Sequence, residues 1–400
     1  MPQGPDKLRE SGVPLFYRAE NAAESGFSAP DLRRGDALRT SVRSLSVFQK
    51  EAIVSSARTG LSWRLSSDEG PYLDGHDAAP CPLAFLTTGM IASYMNEITA
   101  LAKLQNVKIR SLKLIQDNYY TMKGSMPKRT MVGGALPVEL TVEIDCDLSD
   151  VDLNTFLLNA VAASPINGLM RGKLESLFAL SKNGLELEPE KAERITGSIY
   201  GEPKDEFDSL VPVKDAPIQP LVWPNGTTPK KPVADGTSAA GSSLTAEQNR
   251  ALNIGGICTL REDGVKEIQQ MQYSPHGTSF MMLSDEAPIN GGQGRAPDAN
   301  SYISAGIGFC FMTQFGRFVK MLKLDLPNYQ IIQDSHFSLG GASGGTGKAG
   351  FADPLETHVF LTTSESDDVA KEMLDISEQT CFLHAFCKTD MKTKLKVKRV

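Results

Sequence analysis

Hydrophobic and polar positions alternate along residues 40–47, 51–57 and 61–67, the period-two pattern of half-buried strands. A turn rich in Gly and Pro follows, and the pattern then changes. Residues 82–104 are largely uncharged, with Gly89, Ala92 and Ser93 between large apolar side chains. That predicts a long helix buried on nearly every side. Strands are predicted over 109–121 and 138–145, then a helix opening at Asp150, whose charge suits a helix N-terminus. A last strand is predicted over 174–180.

The same order returns further along. Strands are predicted over 257–262, 267–273 and 279–284, and a buried helix with Ala305, Gly306 and Gly308 over 300–322. Strands over 329–338 and 356–362 follow, then a helix opening at Asp367 and a strand over 391–397. Strands wrapped on two helices per unit predict an α+β fold.

The recurrence holds in register. An offset of 217 carries Gly60, Ser62, Ser67, Asp68, Glu69 and Pro71 onto Gly277, Ser279, Ser284, Asp285, Glu286 and Pro288, with Trp63 on Phe280. The same offset takes Gly75 to Gly292, Gly89 to Gly306, Met95 to Met312, Pro137 to Pro354, Glu139 to Glu356 and Ser149-Asp150 to Ser366-Asp367. One register kept through loops and helices points to a tandem duplication. The expected division is an N-terminal extension over 1–37, a first domain over 38–205, a linker over 206–248 and a second domain over 249–400. The linker is rich in Pro, Gly, Ser and Thr and keeps no period. It is long enough for the two copies to pack face to face as an intrachain pseudo-dimer.

Composition removes several function classes. The net charge of −7 and the lack of a basic stripe argue against nucleic acid. The basic residues 392–399 alternate with Thr, Leu and Val and read as an edge strand with charged outer positions. No apolar run is long enough to span a membrane, and the polar first thirty residues hold no signal-peptide core. Six cysteines in a chain of 400 residues do not make a disulfide framework, so a cytoplasmic location is expected.

The candidate chemistry lies in two positions where the copies differ. Under the offset, Ser93 falls on Cys310 and Ser164 on Cys381, each expected within a helix. Both thiols are present in the second copy and both are replaced by hydroxyls in the first. Paired thiols on adjoining helices suit redox work, in which one thiolate is oxidised to a sulfenic acid and the other condenses with it to a disulfide. The chemistry requires Cα atoms within about 7 Å.

Residues 66–109 and 284–315, which carry the turn with Gly and Pro and the long helix with Ser93 or Cys310, resemble the central region of the OsmC/Ohr family. Cys381, in EQTCFLHAFC, matches that family's second cysteine. The resemblance implies an intertwined dimer mimicked inside one chain, with further homo-oligomers open. It implies thiol-dependent reduction of organic hydroperoxides, with Cys310 peroxidatic, Cys381 resolving, an apolar small-molecule substrate, a dithiol reductant and no cofactor. Ser93 and Ser164 then mark a degenerate site. The peroxidases of the family carry a Glu ten residues before the first Cys, paired with an Arg. Asn300 stands at that position here, with Asp298 two residues earlier. Arg58, in SARTG, and Arg295 are the candidate arginines, and His384 is a candidate base beside Cys381.

Other signals are weaker. Residues 340–350, GGASGGTGKAG, miss the P-loop spacing and lack the Ser/Thr after Lys348, so a flexible loop is expected. Cys381-x-x-His384-x-x-Cys387 shares a helix face, but no second ligand pair accompanies it. His276, His336 and His358 are assigned no role. Two alternatives stand beside the peroxidase reading. One is a hydrolase or transferase with Cys310 as covalent nucleophile, and the other a non-catalytic binder of an apolar small molecule.

Overall fold

The structure, a computed structural model, describes residues 4–203, 206–231 and 242–400; residues 232–241 of the predicted linker lie outside the described residues. The first half comprises α1 (Lys7–Glu10), β1 (Tyr17–Arg18), β2 (Asp36–Ser44), β3 (Lys50–Ser56), β4 (Ser62–Ser67), α2 (Pro82–Gln105), β5 (Ile109–Ser125) and β6 (Val132–Cys146). It continues with α3 (Asp150–Ala163), α4 (Asn167–Met170), β7 (Leu177–Lys182) and β8 (Leu185–Leu187). Then come β9 (Val222–Thr227), β10 (Glu247–Leu260), β11 (Lys266–Ser274), β12 (Thr278–Ser284) and α5 (Ala299–Leu322). The chain ends with β13 (Asn328–Phe337), β14 (Glu356–Thr362), α6 (Asp367–Thr380), α7 (Phe382–Lys388) and β15 (Lys394–Arg399).

The long helices form where the apolar pattern puts them. Pro82 opens α2, a position where its fixed φ fits and its missing N–H costs nothing, and Asn106 ends it in the left-handed conformation. Asp298 caps α5 by accepting the Ser301 N–H. Ser149 and Ser366, partners under the offset, cap α3 and α6 in the same way.

Each sheet takes strands from both halves of the chain. The eight-stranded sheet runs β1-β4-β3-β2-β13-β14-β7-β8, and the seven-stranded sheet β15-β6-β5-β10-β11-β12-β9. The seams are antiparallel, with Val42 opposite Ile331 and Ile115 opposite Ile257. Each half also lends its closing strand: β7 lies parallel to β14, and β15 parallel to β6. The outcome is two similar sheet units, each packed on a long helix, in a pseudo-dimeric α+β arrangement. Neither sheet is complete without the other half, and the buried side chains of both units merge into one core.

The helices α2 and α5 cross at glycines. A Cβ on Gly89 would lie 2.6 Å from the Ala299 carbonyl oxygen, and one on Gly306 would lie 2.8 Å from the Leu86 nitrogen. Only residues without side chains let the two backbones approach this closely.

Two segments hold more structure than their composition suggests. In the N-terminal extension, Phe16 is buried with its ring 5.6 Å from Phe85 and 6.0 Å from Tyr302, and β1 pairs with β4. In the linker, β9 adds to β12 at a sheet edge, where Pro224 forfeits no ladder bond that a central strand would need. Buried Leu221 and Val222 anchor it, an apolar pair too short to register as a period. The basic C-terminal segment is an edge strand, with Lys396 and Lys398 each 2.9 Å from Glu139 and Glu143 of β6. Among the described residues, no helix is long and apolar enough to cross a membrane.

Candidate functional site

Cys310 and Cys381 meet. Their sulfurs are 3.6 Å apart, both residues are buried, and both thiols are free. Cys310 lies in the middle of α5, within the stretch Ser301–Phe318 that is buried throughout. Cys381 is not inside a helix, as the pattern suggested, but at a break: it ends α6 and begins α7 with extended backbone (ψ 117). The break turns its side chain onto α5. Burial pushes the Cys381 thiol well up, and the Cys310 sulfur alongside pushes it further.

The first half repeats the arrangement with oxygen in place of sulfur. Ser93 and Ser164 are hydrogen-bonded hydroxyl to hydroxyl at 2.7 Å, and Ser164 likewise ends its helix with extended backbone (ψ 132). Pro165 follows it, and the residue before a proline is disfavoured in helical conformation. The supports also correspond. Thr313, one turn beyond Cys310, bonds Glu69 of the first half at 2.9 Å, while Asn96, one turn beyond Ser93, bonds Glu286 of the second at 2.7 Å.

Cys310 borders a small cavity of ≈ 30 Å³, room for about one or two waters. Its polar lining includes Glu69, Tyr72, Arg250, Gln314 and Arg317, and Cys81 faces it as well. Arg317 is 1% exposed; its Nε donates to the Ser243 carbonyl at 3.1 Å, and its Nη2 has no partner among the described residues. Arg250 Nε is also buried without a partner there. Burial pushes Arg317 down to about 9 and Arg250 down to about 10, so both remain cationic at neutral pH. Glu69 is held by Thr313 and by the Tyr72 hydroxyl at 2.5 Å, and burial raises its carboxyl. Cys81 is raised by burial and then by Glu69.

Several residues singled out in the sequence lie elsewhere. Asn300 borders the Ser93 cavity, together with Arg58, Asn96 and Glu97. Helical rise explains this: ten residues along one helix span about 15 Å, so position 300 cannot reach Cys310. The residue ten before Ser93, Leu83 of α2, lies at the cysteine cavity, as does Pro275. Arg58 is bonded to Asn290 at 3.0 Å, also beside the serines. Arg295 is paired to Asp285 at 2.8 Å and Asp263 at 3.1 Å, where it holds the turn before α5. Asp298 is spent on its helix cap.

His384 does not act on Cys381 through its ring. Nδ1 is bound by Glu378, and the ring packs 4.8 Å from Phe311 and 5.7 Å from Phe178. What reaches Cys381 is the His384 backbone N–H, which donates to the sulfur. Burial works to raise Glu378, but His384 and Lys388, the latter 2.6 Å away, more than offset it and hold the carboxyl low. His384 and Cys387 therefore share no metal-ligand geometry with Cys381, and among the described residues no such cluster is found elsewhere. The glycine-rich residues 340–350 are not a loose loop. Ala342 donates its N–H to Glu97 at 2.8 Å, and a Cβ on Gly350 would meet the Ser164 carbonyl oxygen at 2.0 Å. The glycines are needed because the loop closes directly over the serine pair.

Arg250, Arg317 and Cys81 went unnoticed in the sequence. One signal was there: Arg317 is the first charged residue of an otherwise apolar helix, two turns past Cys310 on the same face. Arg250 follows the linker and gave none.

Comparison with known proteins agrees on one point. Residues 292–396, which contain both Cys310 and Cys381, match a family model described as OsmC-like protein. The match is distant and partial. No curated protein matches the chain. Among solved structures, the crystal structure of an OsmC-like hydroperoxide resistance protein from Jannaschia sp. CCS1 is 18% identical, covering 32% of this chain and 79% of that one, with a TM-score of 0.19. A superposition that poor carries no argument here.

Proposed function

We propose that the protein is a thiol-dependent peroxidase with one working site per chain, in which Cys310 is peroxidatic and Cys381 resolving. The observation that carries this is the 3.6 Å separation of two buried thiols, in contact but unbonded. The partial match of residues 292–396 to the OsmC-like model supports the family side of the reading. The Cys310 thiolate attacks the outer oxygen of a hydroperoxide ROOH, and the O–O bond breaks. The products are a sulfenic acid and RO⁻, which takes a proton to become ROH. The Cys381 thiol then displaces water from the sulfenic acid, forming the disulfide. A dithiol reductant restores both thiols by exchange. The serine pair has no sulfur and cannot enter this cycle. By the same duplication reading, residues 38–205 and 249–400 are the two copies.

A second reading follows from Leu83 and Pro275, which occupy the cysteine cavity where the family resemblance leads one to expect Glu and Arg. On that reading Cys310 attacks a different electrophile, as in a hydrolase or transferase. Cumene hydroperoxide consumption with dithiothreitol decides between them. The peroxidase reading expects turnover that Cys310→Ser abolishes. Alkylation of Cys310 without any peroxide consumption would favour the second.

A further inference from the structure

We propose that the Cys310 cavity recognises an anion, and that Arg250 and Arg317 bind the carboxylate of a small carboxylate-bearing electrophile while Cys310 attacks it. The chemistry of attack is that of the proposed peroxidase, and the substrate assignment rests on that reading; the anion site itself does not.

A buried guanidinium needs partners for its five N–H groups, because an unpaired donor or charge away from water is costly. Arg317 is 1% exposed and spends its Nε on the Ser243 carbonyl, which leaves Nη2 unpartnered among the described residues. Arg250 leaves its buried Nε free in the same way. Both line one small cavity together with Cys310. Arg250 is also among the groups that lower Arg317. Glu69 is the one carboxylate among the described lining residues; its charge favours the cationic form of both arginines, but its hydrogen bonds go to Tyr72 and Thr313 and neither guanidinium is bonded to it. Two cations with spare donors, facing a wall whose carboxylate is committed, are completed by an entering oxyanion.

The serine cavity makes an internal control. Under the 217 offset, Ala100 stands where Arg317 does, and Glu97 stands where Gln314 does. The half with serines thus has no matching guanidinium on its helix; its cavity is lined by Asp36, Glu97 and Glu286, with Arg58 as the one arginine among the described lining residues. As it stands the cavity holds about one or two waters, fewer heavy atoms than a carboxylate alone, so a carboxylate ligand enters only as the walls move and must be small. The rest of the lining is mostly apolar, with Leu83, Leu252, Ile254 and Phe382 beside the uncharged Gln272 and Gln314, so the remainder of the ligand is short and uncharged.

The test compares iodoacetate, an anion, with iodoacetamide, its neutral analogue, reading carboxymethylation and carbamidomethylation of Cys310 respectively by peptide mass mapping on the full chain. The ratio of the two rates, set against that of glutathione, isolates anion recognition from thiol reactivity. We expect the ratio at Cys310 to exceed the glutathione ratio at least tenfold, to fall to it in Arg317→Gln and Arg250→Gln, and to be partly restored in Arg317→Lys. Should a variant not fold, the unsubstituted protein supplies the second measurement: propionate should protect Cys310 from iodoacetamide saturably, and propionamide should not. A Cys310 ratio equal to that of glutathione, or no protection by propionate, would overturn the proposal. The two readings fail separately. Anion preference without consumption of any hydroperoxide leaves the anion site and removes the peroxidase. Turnover of cumene hydroperoxide with an unchanged ratio does the reverse.

Discussion

Ser93 and Ser164 bond to one another at 2.7 Å in the same place, relative to their half of the chain, where Cys310 and Cys381 touch at 3.6 Å. The scaffold thus holds two equivalent pairs of side chains and places thiols at one. Because the frame is shared, converting the other pair should be tolerated. Ser93→Cys with Ser164→Cys is expected to fold and to form a second disulfide under mild oxidation, counted by mass mapping without reductant. Finding the new thiols reduced while Cys310–Cys381 is oxidised would mean the two frames are not equivalent.

The roles of the two thiols separate by substitution. In Cys381→Ser, the sulfenic acid at Cys310 should persist after one equivalent of hydroperoxide and be captured by dimedone, with steady-state turnover lowered by at least about a hundredfold. In Cys310→Ser, no dimedone adduct should form at Cys381, whose thiol is held up by burial.

Arg58 and Arg295, the arginines the sequence offered, are predicted to be dispensable at the cysteine site. One sits with the serines and the other is tied to Asp285 and Asp263. Arg58→Ala and Arg295→Ala should leave the rate of Cys310 alkylation by iodoacetamide within about twofold of the unsubstituted protein.

The helix crossing sets a steric limit. Gly89→Ala and Gly306→Ala each place a methyl group against backbone atoms, 2.6 Å and 2.8 Å away, which cannot retreat as a flexible side chain can. Each should cost about 1–3 kcal/mol in urea unfolding, as overpacked cores do. An unchanged midpoint would show that the helices have room to separate.

Asp298 provides a pH test. Burial, then Glu286 and Asp36, push its carboxyl up to about 7, against an ordinary value near 3.8. The folded state therefore holds a proton that the unfolded chain releases, so this contribution to stability is full below pH ~4 and is lost as pH rises through ~7. Asp298→Asn keeps the helix cap, since Asn caps as well as Asp, and removes the titration. The variant's melting temperature should vary less between pH 4 and 7 and exceed that of the parent above pH 7. Parallel curves for the two proteins would contradict the assignment.

The apolar run from 82 to 104, and its counterpart from 300 to 322, fixed both central helices to within a residue or two. Strand positions were also legible, because alternation is local. What the sequence did not disclose is which strand pairs with which: the exchange of β7 and β15 between halves depends on how the two halves meet, and no local pattern encodes it. The cysteine pair was visible only because the serines at the corresponding positions of the first half marked it. The cavity around it was misjudged for one physical reason. Positions named along the cysteine's own helix and turn do not reach it, because the neighbours of Cys310 come from the crossing helix and from β10.

The most direct test of the account is the yield of the Cys310–Cys381 disulfide after one equivalent of cumene hydroperoxide, measured by peptide mass mapping without reductant. The account predicts close to one such bond per chain, formed with loss of one equivalent of peroxide and reversed by dithiothreitol. Peroxide left intact with both thiols free, or Cys310 oxidised beyond the sulfenic acid with Cys381 untouched, would contradict it.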